Sequence, residues 1–351
     1  MSGMPTVDDV ARAAGVSRQT VSNVLNSPEI VRETTRERVL DAIDRLGYRP
    51  HASARRLRTR KSSTIAVRID PWRDGISGIV LDRFLHQLTE QADRRGLRVM
   101  VFSADDHADE LARIRRLREG SDIDAFVLTA TTHDDERIRA LTDQGVPFVA
   151  FGRPWDPETR AVPHRWVDVD GRVGVAAAVQ HLRAHGARRV AWIGWPHGSG
   201  TGDERRAGWE AESGLGDRER ASLSRHTEDG VTEGTRCAGE LLALAEPPDA
   251  IVCASDSLAL GAMIAARSAG LPALPVVGFD DTPIAAAVGL SSIEQPLDDV
   301  VAAALELLFG PTGDDVRPNP SSDEEPAHRL LAPRLVERRP GHLALDAIPG
   351  T

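Results

Sequence analysis

Lysine is almost missing from this chain, with Lys61 alone among 43 basic side chains. Arginine supplies the rest, an imbalance we ascribe to genome composition rather than to function. Cysteine occurs only as Cys237 and Cys253, in a predicted helix and a predicted strand. Two thiols do not make a disulfide framework, and a reducing cytoplasm is the expected compartment. No apolar run approaches the ~20 residues that a membrane helix needs. The opening MSGMPTVDDVARAAG lacks the apolar core of an export signal. Catalytic signatures are missing as well. HGSGTGD at 197–203 has the glycines of a phosphate loop, but no GK[ST] follows and the spacing misses GxGxxG. His181 and His185 stand four apart in HLRAH without the Glu, Cys or third His of a zinc site. GxSxG is absent. We therefore expect no enzyme, no cofactor, no metal and no membrane partner.

What is present is unevenly distributed. At 351 residues the chain is long enough for two or three compact units. The overall charge of −10 hides a contrast: residues 1–62 hold 12 Lys and Arg against 7 Asp and Glu, while the remainder holds 31 against 46. A basic module attached to an acidic body points to nucleic acid at one end.

Within residues 1–49, Thr6 precedes a run with Val7, Val10, Ala11 and Ala14 on one face, and Asp9 completes a capping-box pattern. Gly15 ends that helix, Val16 plugs the turn, and Ser17 caps a second helix that points Val21, Val24 and Leu25 inward. A third helix is expected from about Thr35 to Leu46, with Val39, Ile43 and Leu46 as its apolar stripe and Gly47 as its stop. Three short helices with a glycine turn between the first two form a helix-turn-helix. A helical bundle with no DNA role has the same pattern. The segment TVDDVARAAGVSRQTVSNVLN, followed by Val31, Thr35, Arg36, Val39 and LGYRP at 46–50, closely resembles the opening of the lactose-repressor (LacI) family. That resemblance implies that the second helix enters the major groove of double-stranded operator DNA, with Arg18, Gln19 and Asn23 reaching base edges. Arg pairs bidentately with guanine and Gln or Asn with adenine, which suits that role. It also implies backbone-phosphate contacts from Thr6, Ser17, Thr20, Ser22, Asn26 and Tyr48.

Residues 50–62 form a basic linker that reads on its own as a tether. The resemblance implies instead a hinge helix that inserts a wedge into the minor groove, with Ala54, Arg55 and Leu57 matching that motif. His51 departs from the Asn of many relatives.

From residue 63 to about 340, strand-like runs (IAVRI, LRVMVF, AFVLT, VPFVAF, RVAWIG, AIVCA, PVVGF) alternate with helical ones. The fold class expected is α/β, a two-lobed core with parallel sheets behind a helical head. VDVDGRVGVAAAVQHLRAHGARRVAWIG, SDSLALGAMIAARSAG, PVVGFDDTP and LSSIEQP resemble the periplasmic-binding-protein-like core of the same family. We expect an N-lobe of about 63–158 and 291–325 and a C-lobe of about 159–290 and 326–340. The chain should cross near 152–163, near 282–292 and again near the C-terminus, and residues 341–351 should form a tail. Ligands in such sheets bind at the carboxyl ends of the strands. That rule, together with the matching family positions, nominates Asp70, Trp72, Ile76, Thr129, Arg153, Arg205, Ser255 and Asp280 as effector contacts. The bland alternatives are a helix cap for Asp280 and a surface ion pair for Arg205. Aromatics are scarce, yet Trp72, Trp155, Trp195 and Trp209 fall near the expected cleft, where sugar rings stack. Core packing is the competing reading, strongest for Trp209. WPHGSGTGDERRAGW resembles actinobacterial members that answer to cellobiose and related oligosaccharides.

The expectation is a homodimeric repressor on a palindromic operator, released by a small-molecule effector, a sugar by preference. The absence of a leucine heptad after Pro340 disfavours a tetramer. Two rivals remain open: a ligand that tightens DNA binding, and a solute-binding protein with a vestigial head.

Overall fold

A computed structural model of the chain describes residues 5–26, 28–48, 62–69, 78–120, 123–310, 316–321 and 327–338. It divides into two compact units, residues 1–62 and 63–351.

The first unit is three helices: α1 (Val7–Ala14), α2 (Arg18–Asn26) and α3 (Glu33–Leu46). The Thr6 hydroxyl accepts the Asp9 amide at 3.4 Å while the Asp9 carboxylate takes the Thr6 amide at 2.9 Å, closing the capping box. Gly15 then turns at φ 64°, a conformation that a Cβ disfavours, so α1 stops and the chain reverses into α2. Val10, Val21, Val24, Val39 and Ala42 form the core, with Tyr48 closing one side. Two details differ from expectation. Helix α3 starts two residues earlier, and its inward stripe runs through Ala42 while Leu46 is exposed. Val39 and Ala42 are buried and Ile43 packs against them, so the inward face of α3 ends before Leu46.

The second unit holds two parallel-rich sheets, each with helices on both faces. Sheet 1 contains β1 (Thr64–Ile69), β2 (Arg98–Ser103), β3 (Ala125–Leu128), β4 (Phe148–Phe151), β5 (Arg165–Val169) and β11 (His328–Leu331), in the order β11-β5-β4-β3-β1-β2. All its pairings are parallel. Sheet 2 contains β6 (Val190–Gly194), β7 (Ser224–His226), β8 (Ala250–Cys253), β9 (Val276–Phe279), β10 (Ser291–Glu294) and β12 (Arg334–Val336), in the order β12-β10-β9-β8-β6-β7. Only β12 runs antiparallel there.

The helices between strands are α4 (Gly78–Arg94), α5 (His107–Glu119), α6 (Glu136–Asp143), α7 (Pro157–Arg160), α8 (Gly171–Ala184), α9 (Gly200–Glu212), α10 (Asp217–Ser222), α11 (Val231–Leu242), α12 (Asp256–Ser268), α13 (Pro283–Val288) and α14 (Leu297–Phe309). Phe84 and Leu88 of α4 and Val300 and Leu305 of α14 pack on one face of sheet 1; Leu111, Ile114 and Ile138 cover the other. Burying each such side chain contributes about 1.5–3 kcal/mol.

The lobe boundaries expected from sequence are corrected by sheet membership. Strand β5 pairs with β4 and β11, so residues 165–169 belong to the N-lobe, not the C-lobe. Strand β10 pairs with β9 and β12, so residues 291–294 belong to the C-lobe. Strand β11 returns 328–331 to the N-lobe. The chain therefore crosses at Asp170, at Gln295–Pro296 and at Ala332–Pro333. Residues 152–163 stay on the N-lobe because the Asp156 carboxylate caps α7 and also accepts the Asp134 amide at 2.8 Å.

Candidate operator-reading head and effector cleft

In the head, Ser17 precedes α2, and its hydroxyl accepts the Thr20 amide at 3.1 Å. The residues that follow face outward. Arg18 and Gln19 are exposed and Asn23 is half-buried. Gln19 Nε2 donates to Asn23 Oδ1 at 2.9 Å, one helical turn away, so the two amides present a joined donor–acceptor edge. Arg18 Nε meets Asp8 at 3.1 Å with both side chains well exposed, a weak pair that a nucleic acid could replace. Thr6, Ser17 and Thr20 lie at or near the starts of α1 and α2, Ser22 sits in the middle of α2, and Asn26 closes it. Tyr48 is different: its ring is buried in the head core, a packing role that its sequence context did not announce. The hinge candidates Ala54, Arg55 and Leu57 lie outside the described residues.

In the core, the carboxyl ends of both sheets face a cavity of about 230 Å³. From the N-lobe it is lined by Val80, Leu81, Phe84, Thr129–Thr131, Phe151, Gly152, Asp168 and Val169, and across the cleft by Thr201 and Arg205 of α9 with the crossing residue Gln295. Thr129 and Arg205 were expected on this wall. Asp70, Trp72 and Ile76 lie outside the described residues.

Arg205 is the charged residue of the C-lobe wall, while Asp280, also expected there, stands beside Arg205 and is not among the residues that line the cavity. Arg205 is buried; its Nη1 donates to the Ala254 carbonyl at 2.6 Å, and its guanidinium lies 3.5 Å from the Phe279 ring centre and 5.1 Å from that of Trp195. Its Nη2 stands 3.7 Å from Asp280 Oδ1. Asp280 accepts from Gln295 Nε2 at 2.7 Å, and its backbone is held at φ 105°. Burial pushes the Asp280 carboxyl up to about 7, against the downward pull of Arg205 and Gln295. Burial likewise pulls the Arg205 guanidinium down, opposed by Asp280. Neither bland alternative describes these residues: the cap of α13 is Thr282, and Arg205 is not on the surface.

Ser255 caps α12, and its hydroxyl donates to Asp229, which also accepts from Trp195 Nε1 at 3.2 Å. Ser255 thus stands behind the wall rather than on it. Arg153 is spent on neighbours: Nε bonds Asp168 at 2.6 Å, and Nη1 reaches Glu204 of the opposite lobe at 3.5 Å. Trp155 also bridges the lobes. Its indole lies so close to Gly200 that a Cβ there would overlap the ring, while its Nε1 donates to Thr131 at 2.9 Å. Trp209 is core, donating to the Val190 carbonyl at 2.9 Å. His181 and His185 face each other at 4.3 Å, with Glu337 the carboxylate beside His181 at 3.2 Å.

Two family models match. "Bacterial regulatory proteins, lacI family" covers residues 6–51, and "Periplasmic binding proteins and sugar binding domain of LacI family" covers residues 80–306. The chain belongs to the LacI family. It is 31% identical over 335 residues to the HTH-type transcriptional regulator CelR of Thermobifida fusca, covering 89% of this chain and 94% of the relative. It is similar to the solved CelR–cellobiose complex at 27% identity and TM-score 0.65, covering 96% of this chain and 100% of that one. It also shares its fold with the lac repressor dimer bound to operator and the anti-inducer ONPF, at 24% identity and TM-score 0.77, with 96% and 99% covered. As a LacI-family member the chain is a DNA-binding transcriptional regulator and not an enzyme. Among the described residues, no helix is long and apolar enough to cross a membrane.

Gln295, Asp168 and Thr131 were missed by sequence reasoning. Asp168 and Gln295 stand inside the quoted segments VDVDG and LSSIEQP. Each ends or follows a strand that enters the cleft, which is the signal that could have nominated them.

Proposed function

We propose that this LacI-family regulator is a repressor that grips a palindromic operator as a homodimer and lets go when a neutral di- or oligosaccharide of cellobiose type fills the cleft. In the head, Arg18, Gln19 and Asn23 read bases, while Thr6, Ser17, Thr20, Ser22, Asn26 and the Tyr48 hydroxyl hold phosphates. Ala54, Arg55 and Leu57 occupy the minor groove. In the core, Asp70, Trp72, Ile76, Thr129, Arg205 and Asp280 contact the sugar, and Gln295 joins them. Arg153 and Ser255 support that set through Asp168 and Asp229.

The observation that carries this reading is the Arg205–Asp280 couple beside Trp195 and Phe279. A fork of donors and a carboxylate acceptor suit the hydroxyls of a pyranose, and Phe84 and Phe151 in the cavity lining offer apolar surface for its C–H face. The likeness to a regulator solved with cellobiose supports the same ligand class. Release of DNA then follows from linkage, because sugar affinity that differs between two lobe arrangements shifts the operator-competent population.

The test is fluorescence anisotropy of operator DNA titrated with the protein, then with cellobiose, lactose and glucose. Cellobiose should release the DNA, and Arg18→Ala should relax base preference at one symmetric pair of operator positions at a cost of about 1–3 kcal/mol. Operator binding that no sugar reverses leaves the DNA reading standing and removes the sugar.

A further inference from the structure

One layer beneath the N-lobe wall lies a set of buried charges that line no part of the cavity. Arg137, the second residue of α6, is 0% exposed. Its Nε and Nη2 take both oxygens of Asp135 at 2.9 and 2.6 Å, and its Nη1 takes Glu110 of α5 at 2.7 Å. Glu110 also receives Arg68 of β1 at 3.1 Å. The two carboxylates hold the Arg137 guanidinium in its charged form even though burial works against it. Buried ion clusters of this kind are often no more stabilising than apolar side chains of the same volume. Stability alone is therefore a poor reason for this one.

The geometry supplies another reason. The same guanidinium donates to the Thr129 carbonyl at 3.1 Å and the Ala130 carbonyl at 3.3 Å. These residues carry the chain off the end of β3 along the cavity wall. Ala130 is held there at φ 51°, a conformation that residues with a Cβ avoid unless neighbours impose it. The next residue, Thr131, receives Trp155 Nε1, and Trp155 lies on Gly200 of the other lobe. An unbroken series of contacts thus runs from the buried carboxylates through Arg137 to the two carbonyls, Thr131, Trp155 and α9.

We propose that Arg137 is a positioning residue for effector capture: by clamping the Thr129 and Ala130 carbonyls it sets the cavity wall and the Trp155 bridge without touching the effector. This inference rests on the sugar reading above for its ligand, but not for its structural readout.

Arg137→Lys tests it in the full-length protein. Lysine keeps the charge between Asp135 and Glu110 but has no planar fork to reach two carbonyls as well. Calorimetry with cellobiose should show at least a tenfold loss of affinity, while operator affinity without sugar stays within twofold. Hydrogen exchange in the sugar-free protein should accelerate at amides 129–135 relative to the other strands of sheet 1. Thr131→Val leaves the buried charges alone and removes the acceptor for Trp155; it should weaken cellobiose severalfold and shift tryptophan emission. An Arg137→Lys protein that melts earlier yet keeps its cellobiose affinity and its protection at 129–135 overturns the proposal. If the wild type takes no cellobiose, the sugar reading fails, and unchanged exchange at 129–135 still overturns the positioning role. If Arg137→Lys does not fold, unchanged tryptophan emission and unchanged cellobiose affinity in Thr131→Val overturn it instead.

Discussion

The two lobes share one plan of six strands each, yet they meet the cleft with different surfaces. The C-lobe brings the buried Arg205 to its wall, with Asp280, Asp229 and Asp256 close behind it. The N-lobe lines its half mainly with Val80, Leu81, Phe84, Phe151 and threonine side chains, admits one carboxylate there, Asp168 paired with Arg153, and keeps Arg137 and Glu110 one layer down. In both lobes a buried, carboxylate-paired arginine also holds backbone carbonyls, Ala254 in one and Thr129 and Ala130 in the other, but Arg205 lines the cavity and Arg137 does not. What differs is where along its helix the arginine sits. Arg205 reaches across from the second turn of α9, whereas Arg137 lies at the very start of α6 and turns back under the loop.

The largest expected break in that contrast is Arg205→Ala. It removes a charge-assisted hydrogen bond worth ~1.5–3 kcal/mol, roughly a 10- to 150-fold loss of cellobiose affinity by calorimetry. It also leaves Asp280 buried without its cation, so that carboxyl should stay protonated at neutral pH. Operator binding should be nearly untouched. If operator affinity and melting temperature fall together, Arg205 holds the fold rather than the sugar.

A middle-sized effect should come from pH. Asp280 titrates near 7 because burial favours its neutral form, while sugar hydroxyls donate to its ionised form. Cellobiose affinity should therefore rise about tenfold from pH 6 to pH 8, with proton release visible as a buffer-dependent heat. Asp280→Asn should flatten that profile. The stability linkage has the opposite sense: a folded value raised above 3.8 favours the native state fully at low pH, and that contribution fades as pH climbs through about 7. An N-lobe substitution should alter neither trend.

The smallest effect is expected where the lobes touch. Arg153 and Glu204 pair at 3.5 Å with both side chains partly exposed, so Glu204→Gln should weaken cellobiose by less than about fivefold. A larger loss, comparable to that of Arg205→Ala, would show that the rim rather than the charged wall dominates capture.

Most of the head could be read directly from sequence, because capping, the Gly15 turn and apolar spacing are local properties of a few neighbours. Tyr48 escaped, since its burial depends on α3 folding back over α1. In the core, alternation revealed strands with long apolar runs and missed β5, β7, β10, β11 and β12. These are short or interrupted by charge, as in RWVDV and HRLL, and the sheet membership of β5 and β11 is decided in part by a pairing more than 150 residues apart in sequence. That is why the lobe boundaries were misplaced while the fold class was not. Arg205 and Asp280 stood out as charges after strands; Gln295 is neutral and gave no such mark. Nothing in the sequence sets Arg137 apart from the chain's other arginines, and only three dimensions show it buried.

The three crossings between lobes lie side by side: the Asp170 amide donates to the Leu331 carbonyl at 2.8 Å, and Gln295, Pro296 and Ala332 share one groove. Mechanically this is a leaf hinge with three strips, two of them stiffened by proline at positions 296 and 333. Such a joint bends about one line and resists twisting or sliding. The opening angle is then the softest coordinate between the lobes, and under the proposed function an effector in the cleft would be read through that one angle.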